Sequence, residues 1–225
     1  MYDATAQRLR DVTEALHGSN EVWAAIDALW RPYVLQNDVE AQFRLAYYYL
    51  FCGFDEGPTT RDEMEMLLRT AAEHNHPDAV YWLSHLSPHG SAEQGALLLR
   101  AGELGSLEAQ RDLGALYATG DWSGPRDPVR GAEWYRRAAE RGHANAQYNL
   151  GFMYLRGEGV SSDPVEGLRW IRLAGDQREP ASCRLLAELY RFGHYGISID
   201  PGEADRWDDL YQQLQPASKL SSDEK

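Results

Sequence analysis

The chain has 225 residues, 43% hydrophobic and 25% charged, with 22 basic against 35 acidic side chains and a net charge of −13. That much apolar material excludes global disorder and allows one or two domains. The acidic balance argues against nucleic acid and anionic membrane as partners and suits the surface of a basic partner protein.

The opening stretch "MYDATAQRLRDV" is polar and has no apolar signal core. No apolar run approaches the roughly 18 residues a bilayer span needs, so a soluble, cytoplasmic protein is the expectation. Residues 1–37 read as an N-terminal capping hairpin built from "ATAQRLRDVTEALHG" and "EVWAAIDALWRPY". Val22, Trp23, Ile26, Leu29 and Trp30 fall on one face of the second helix, which Pro32 should end or kink.

From residue 38 the chain repeats itself. "AQFRLAYYYLFCG" (41–53), "AQRDLGALYATG" (109–120), "AQYNLGFMYLRG" (146–157) and the weaker "SCRLLAELYRFG" (182–193) share one template, and "AVYWLSHL" (79–86) is a degenerate copy. The last three full copies are followed by Asp127-Pro128, Asp163-Pro164 and Asp200-Pro201, then by Trp134, Trp170 and Trp207. Each copy reads as the first helix of an antiparallel pair. Ala146, Leu150, Met153 and Tyr154 lie on one helical face. Gly157 and Gly159 stop that helix because glycine enters the left-handed region freely. Asp163 caps the next helix and Pro164 sits where its missing N–H is harmless. Gly151 in mid-helix costs about 1 kcal/mol against alanine. Ala146 with Gly151, like Ala109 with Gly114, therefore marks a notch where helices approach closely and packing offsets that cost. Tyr154 and Trp170 fill the space between successive hairpins. Residues 215–225 are polar, contain Pro216 near their start, and read as a disordered tail.

These residues resemble the Sel-one-like repeat family, tetratricopeptide-like α-solenoids of about 36 residues per unit. The family pattern A-x-x-x-L-G-x-x-Y-x-x-G, G-V-x-x-D, A-x-x-W-x-x-x-A-A is followed closely over 146–174, although Gly167 and Gly175 replace two alanines. It is followed over 109–142 apart from the longer loop "GDWSGPRD", and loosely elsewhere between 38 and 214. The fold this implies is all-α: a right-handed αα-superhelix, a solenoid of about five helical hairpins spanning 38–214 plus the N-terminal cap.

Enzymatic and metal chemistry finds little footing. Cys52 and Cys183 have neither a pairing nor a metal spacing and read as reduced, buried thiols. His74 with His76, and His85 with His89, do not share helix faces with the three or four convergent ligands a metal needs. The pairs Glu63 and Glu65, Asp208 and Asp209, and Glu179 and Glu188 read as solvated faces. There is no G-x-S-x-G elbow, and "GDWSGPRD" lacks the Lys-Ser/Thr of a phosphate loop. No catalytic residue, cofactor or metal is assigned. Trp122 at that loop's tip either folds back onto the solenoid or is offered to a partner, as binding hot spots are.

In tetratricopeptide-like solenoids the first helix of each unit lines the inner curve, and the resemblance places the residues three before and one after the small notch residue in that groove. Here those are Phe43 and Tyr47, Tyr81 and His85, Arg111 and Ala115, Tyr148 and Phe152, and Arg184 and Glu188, with Arg191 one turn further. Aromatics and arginine dominate interface energetics, although rings at helical spacing also serve as core. The function this implies is a non-catalytic protein–protein interaction module, a scaffold or adaptor holding a partner protein in its concave groove. The alternative is an immunity-type inhibitor that neutralises a toxin, a role some bacterial members play. A third, hydrolase-like reading belongs to a cysteine-rich secreted branch whose cysteines this chain lacks.

Overall fold

The computed structural model describes residues 20–51, 61–120 and 125–215, and every regular element among them is helical. The helix expected over 4–18, Cys52, Trp122 and the tail from 216 lie outside the described residues. The chain divides into two compact units, Met1–Ala109 and Gln110–Lys225.

Unit 1 holds α1 (Asn20–Val34), α2 (Val39–Phe51), α3 (Arg61–Glu73), α4 (Pro77–Leu86) and α5 (Ala92–Leu104), and each packs on the next. Helix α1 runs two residues beyond Pro32 before it closes. Its buried face carries Ile26 and Trp30, and Arg31 ties Asp27, Glu63 and the Tyr49 hydroxyl together. The division between the units falls inside α6 (Leu107–Thr119).

Unit 2 continues with α7 (Pro128–Glu140), α8 (Ala144–Arg156), α9 (Pro164–Asp176), α10 (Pro180–Phe192), a 3-10 turn at His194–Gly196 and α11 (Pro201–Leu214). Here too each α-helix from α7 onward packs on its successor. The architecture is thus an all-α run of helical hairpins, each a first helix (α2, α4, α6, α8, α10) followed by a second (α3, α5, α7, α9, α11).

The caps explain where these helices begin. Asp127, Asp163 and Asp200 accept from the N–H groups of Arg130, Glu166 and Glu203 at 3.0–3.1 Å, with proline at the first helical position each time. The first helices use a more varied set. Asp38 caps α2, and the N–H groups of Ala79 and Ala146 donate to Nδ1 of His76 and His143, both at 3.2 Å. Because His76 accepts at Nδ1, its proton sits on Nε2, which donates to Glu40 at 3.1 Å.

Gly151 is explained by the helix it faces. A Cβ there would stand 2.6 Å from Ile171 Cγ1 and 2.7 Å from the Gly167 carbonyl oxygen, and one on Gly167 would stand 2.8 Å from the Gly151 oxygen. Two glycines therefore oppose each other where α8 crosses α9. The preceding hairpin repeats the device: a Cβ on Gly114 would meet the Tyr135 ring at 2.6 Å, and one on Gly131 the Ala118 nitrogen at 2.9 Å. Burial in that joint pushes the Tyr135 hydroxyl up to about 12.

An arginine of α1, α7 or α9 donates to a tyrosine hydroxyl of the first helix that follows it, 18 residues on. Arg31 reaches Tyr49 (3.2 Å), Arg136 reaches Tyr154 (3.1 Å) and Arg172 reaches Tyr190 (2.9 Å). Each bond fixes the register of successive hairpins.

Candidate protein-binding surface

The core side of each first helix is sealed. Leu45 and Ala46 on α2, and Leu150 with Gly151 on α8, are buried. Most of the residues on either side of that seam stay partly exposed, Tyr81 being the buried exception, and they differ between the units.

In unit 1 they form a connected row of rings. Phe43 stacks on His76 with centroids 4.3 Å apart and lies 5.7 Å from Tyr47. Tyr47 meets Trp82 edge-on at 5.8 Å and 68°. Trp82 continues to His85 (5.5 Å) and Tyr81 (5.4 Å). Tyr47 and His85 are exposed and Phe43 and Trp82 half-buried, whereas Tyr81 is only 5% exposed and backs the His85 ring at 4.5 Å. The His85 ring itself is held by the Tyr81 carbonyl at 3.1 Å.

In unit 2 the row mixes rings and charge. Tyr148 and Phe152 stack on α8 with centroids 6.3 Å apart, and the Arg156 guanidinium lies over Phe152 at 5.3 Å. Burial pushes the Tyr148 hydroxyl up; Glu179 and Glu188 push the same way and Arg184 opposes them, so two charges of α10 and its capping Glu179 bear on that ring. Arg184 and Glu188 are exposed. Arg111 on α6 pairs with Asp112 at 2.5 Å, beside half-buried Ala115. Arg191 turns to α11, where Asp208 (3.1 Å) and Asp205 (3.6 Å) hold it.

Repeat spacing does not single out Trp82 or His76, yet both join the unit 1 row. Trp82 lies one residue past the counted position, and a tryptophan on a shortened repeat was the available signal. The acidic pairs find structural partners instead of each other. Glu63 pairs with Arg31 and Glu65 with Arg69, while Glu179 caps α10 by accepting from Ala181 (3.1 Å) and Ser182 (2.5 Å). Cys183 is a buried free thiol whose pKa burial raises. Among the described residues no three of His, Cys, Asp and Glu come together as a metal site, and no helix is long and apolar enough to cross a membrane.

A family model described as Sel1 repeat matches residues 39–65, 107–143, 144–178 and 180–207, more than half of the chain. The chain belongs to the Sel1 repeat family. The matches omit 66–106, where α4 and α5 nevertheless pack together like the other Sel1 hairpins. A Sel1 repeat protein from Oxalobacter formigenes superposes with a TM-score of 0.74 at 26% identity, covering 87% of this chain and 86% of that one. An immunity protein from Pseudomonas aeruginosa shares the fold, with a TM-score of 0.67 at 19% identity over 94% of this chain and 80% of that one. Among curated sequences, chitin synthase regulatory factor 3 of Schizosaccharomyces pombe is 36% identical over 90 residues, 40% of this chain and 10% of that protein. The chain spans 8% to 47% of the length of the first curated relatives it matches. Sel1 repeats are protein-interaction scaffolds.

Proposed function

We propose that this chain is a non-catalytic protein-binding module, a scaffold or adaptor of the cytoplasm that presents the outward faces of its first helices to a partner protein. One observation carries the reading. The positions flanking the sealed notch hold large rings, Phe43 and Tyr47 on α2 and Tyr148 and Phe152 on α8, that stay partly exposed while the seam between them is closed. Leaving apolar rings in water forgoes about 25 cal/mol for each Å² not buried, and an interface recovers it. Helices locked by caps and glycine notches hold these side chains in place, so little freedom is lost on binding.

The test is capture of a partner from lysate, followed by calorimetry with that purified partner. Tyr47→Ala or Phe152→Ala should weaken the complex at least tenfold with the fold unchanged by circular dichroism. Turnover of a small substrate with no captured protein would overturn the reading.

The net charge of −13 favours a second, narrower version: an inhibitor that clamps a basic toxin, in keeping with the fold shared with the immunity protein from Pseudomonas aeruginosa. Association with such a toxin would slow steeply as salt rises from 0.05 to 0.3 M, on the order of tenfold or more, since screening at that range shortens the reach of charge to roughly 10 Å and below. A salt-independent rate would count against it.

A further inference from the structure

Three connections of unit 2 are anchored on one plan. Where α6, α8 and α10 end, Gly120, Gly157 and Gly193 take left-handed φ values of 79°, 68° and 68°. Where the following helices begin, the N–H groups of Asp127, Asp163 and Asp200 donate to the carbonyls of Tyr117, Tyr154 and Tyr190 at 2.8, 3.0 and 2.9 Å. The side chains beside these fixed points differ. The residue before the glycine is Thr119, Arg156 and then Phe192, and the residue before the aspartate is Arg126, Ser162 and then Ile199. Of the three, the last alone is apolar at both places, and both residues face water: Phe192 is 59% exposed and Ile199 63%. The sister connections close with polar side chains there, so the turn does not need this apolar surface in order to form.

The apolar side chains gather around Gly193. Ile199 lies over it, since a Cβ on that glycine would stand 3.0 Å from Ile199 Cγ1. Phe192 and His194 flank it with ring centroids 5.7 Å apart. Tyr195, also exposed, is held at a φ of 57° in a turn that the Ile197 N–H closes on the His194 carbonyl at 3.1 Å. Beside this corner stands an acidic face. Asp205, Asp208 and Asp209 on α11 have the i, i+3, i+4 spacing of one helix side, and the Asp205 side chain is 78% exposed. Arg191, next to Phe192 in the chain, reaches Asp208 at 3.1 Å and Asp205 at 3.6 Å, so one cation stands against three carboxylates. Exposed apolar patches rimmed by charge mark interaction sites.

We propose that the α10–α11 corner is a further docking surface: a basic, amphipathic segment of the partner protein covers Phe192, Tyr195 and Ile199 with its apolar side chains and sets its lysines or arginines against Asp205, Asp208 and Asp209. The surplus of carboxylates on α11 draws the segment in, and the apolar corner fixes where it sits. The turn is tied at both ends by backbone hydrogen bonds, so its side chains are presented with little freedom left to lose on binding. This rests on the protein-binding reading above and adds to the first-helix rings a contact at the loop edge, with the partner chemistry that fits it.

The probe is a fluorescein-labelled amphipathic peptide of leucine and lysine with the leucines on one helical face. In one control peptide glutamate replaces lysine, and in another serine replaces leucine. Fluorescence anisotropy is followed as the full chain is added. The leucine–lysine peptide should bind tighter than either control by on the order of tenfold or more. Phe192→Thr with Ile199→Ser installs the side chains of the sister connections without changing charge, and should weaken binding by on the order of tenfold. Asp205→Asn with Asp209→Asn should weaken it about fivefold and flatten its salt dependence. Val165→Ser removes an apolar side chain exposed elsewhere in the same unit and should bind within about twofold of the parent. Circular dichroism verifies each fold, and Ile199→Ser alone decides the matter if the double variant does not fold. Binding that the double variant leaves unchanged, or that a control peptide equals, overturns the proposal. So does sedimentation showing a dimer that the double variant turns into monomer, because a second copy of this chain then covers the corner. If a captured partner is lost by Phe152→Ala but kept by the double variant, this inference fails and the protein-binding reading stands; dependence on neither the first-helix rings nor the corner defeats both.

Discussion

Replacing Gly151 with alanine sets two effects of opposite sign against each other. Alanine is the better helix former by about 1 kcal/mol, so propensity alone calls for stabilisation. The new Cβ would stand 2.6 Å from Ile171 Cγ1 and 2.7 Å from the Gly167 oxygen, and the oxygen belongs to backbone that no rotamer change can move. Ordinary contact begins near 3.4 Å, so α8 and α9 would have to part by roughly half an ångström or more, and overpacking of this kind costs about 1–3 kcal/mol. With backbone as the obstacle the upper end applies, which leaves a net loss of about 2 kcal/mol. Gly202 is the control. A Cβ there meets only Asp200 Oδ1, at 3.4 Å, so the same substitution should be neutral or stabilise by up to about 1 kcal/mol. Thermal unfolding followed by circular dichroism reads both. At roughly 3 °C per kcal/mol for a chain of this size, Gly151→Ala should melt about 6 °C lower and Gly202→Ala no lower than the parent. A Gly151→Ala protein as stable as the parent would refute the notch as the reason for that glycine.

Tyr190→Phe removes the acceptor of the 2.9 Å bond from Arg172 and should cost about 1 kcal/mol, with a double-mutant cycle against Arg172→Met showing coupling of similar size. His143→Ala leaves the Ala146 N–H without its cap and should cost about 1 kcal/mol by urea unfolding, whereas His143→Asn should recover most of it. The His76 hydrogen bond, with Arg44 beside it, holds the Glu40 carboxyl below its ordinary value. A depressed carboxylate contributes stability that is complete above the unfolded-state pKa of about 4.3 and is lost as pH falls through the lower folded-state value. Parent and Glu40→Gln unfolding midpoints should therefore converge as pH drops from 6 to 3, and a constant gap would contradict this.

Much of the fold was legible because its rules are local. Asp163-Pro164 announces a helix start through capping and a fixed φ, and Gly151 announces a close approach because nothing else offsets its propensity cost. His76 and His143 were not legible as caps, since histidine does that job only through a neutral Nδ1 that spacing does not reveal. The Arg172–Tyr190 bond joins two helices 18 residues apart and needs the packing to be seen. Tyr81 and Trp82 show the limit for the surface. One step along α4 is a rotation of about 100°, so a repeat shortened after residue 86 leaves the outward residue uncertain by one, and the structure turns Tyr81 inward and leaves Trp82 half-open. Periodicity puts Arg191 one turn past Glu188 but carries no information about Asp205 and Asp208 on the next helix, which hold its side chain.

The most direct measurement places a photo-crosslinking phenylalanine analogue at Tyr47 or Phe152, on the first helices, and at Val129 or Val165, which are 55% and 80% exposed at the starts of second helices. Irradiation of the complex with its captured partner should give covalent adducts from 47 and 152 and none from 129 and 165. Adducts confined to 129 and 165 would mean that the partner sits elsewhere and that the exposed rings serve another purpose.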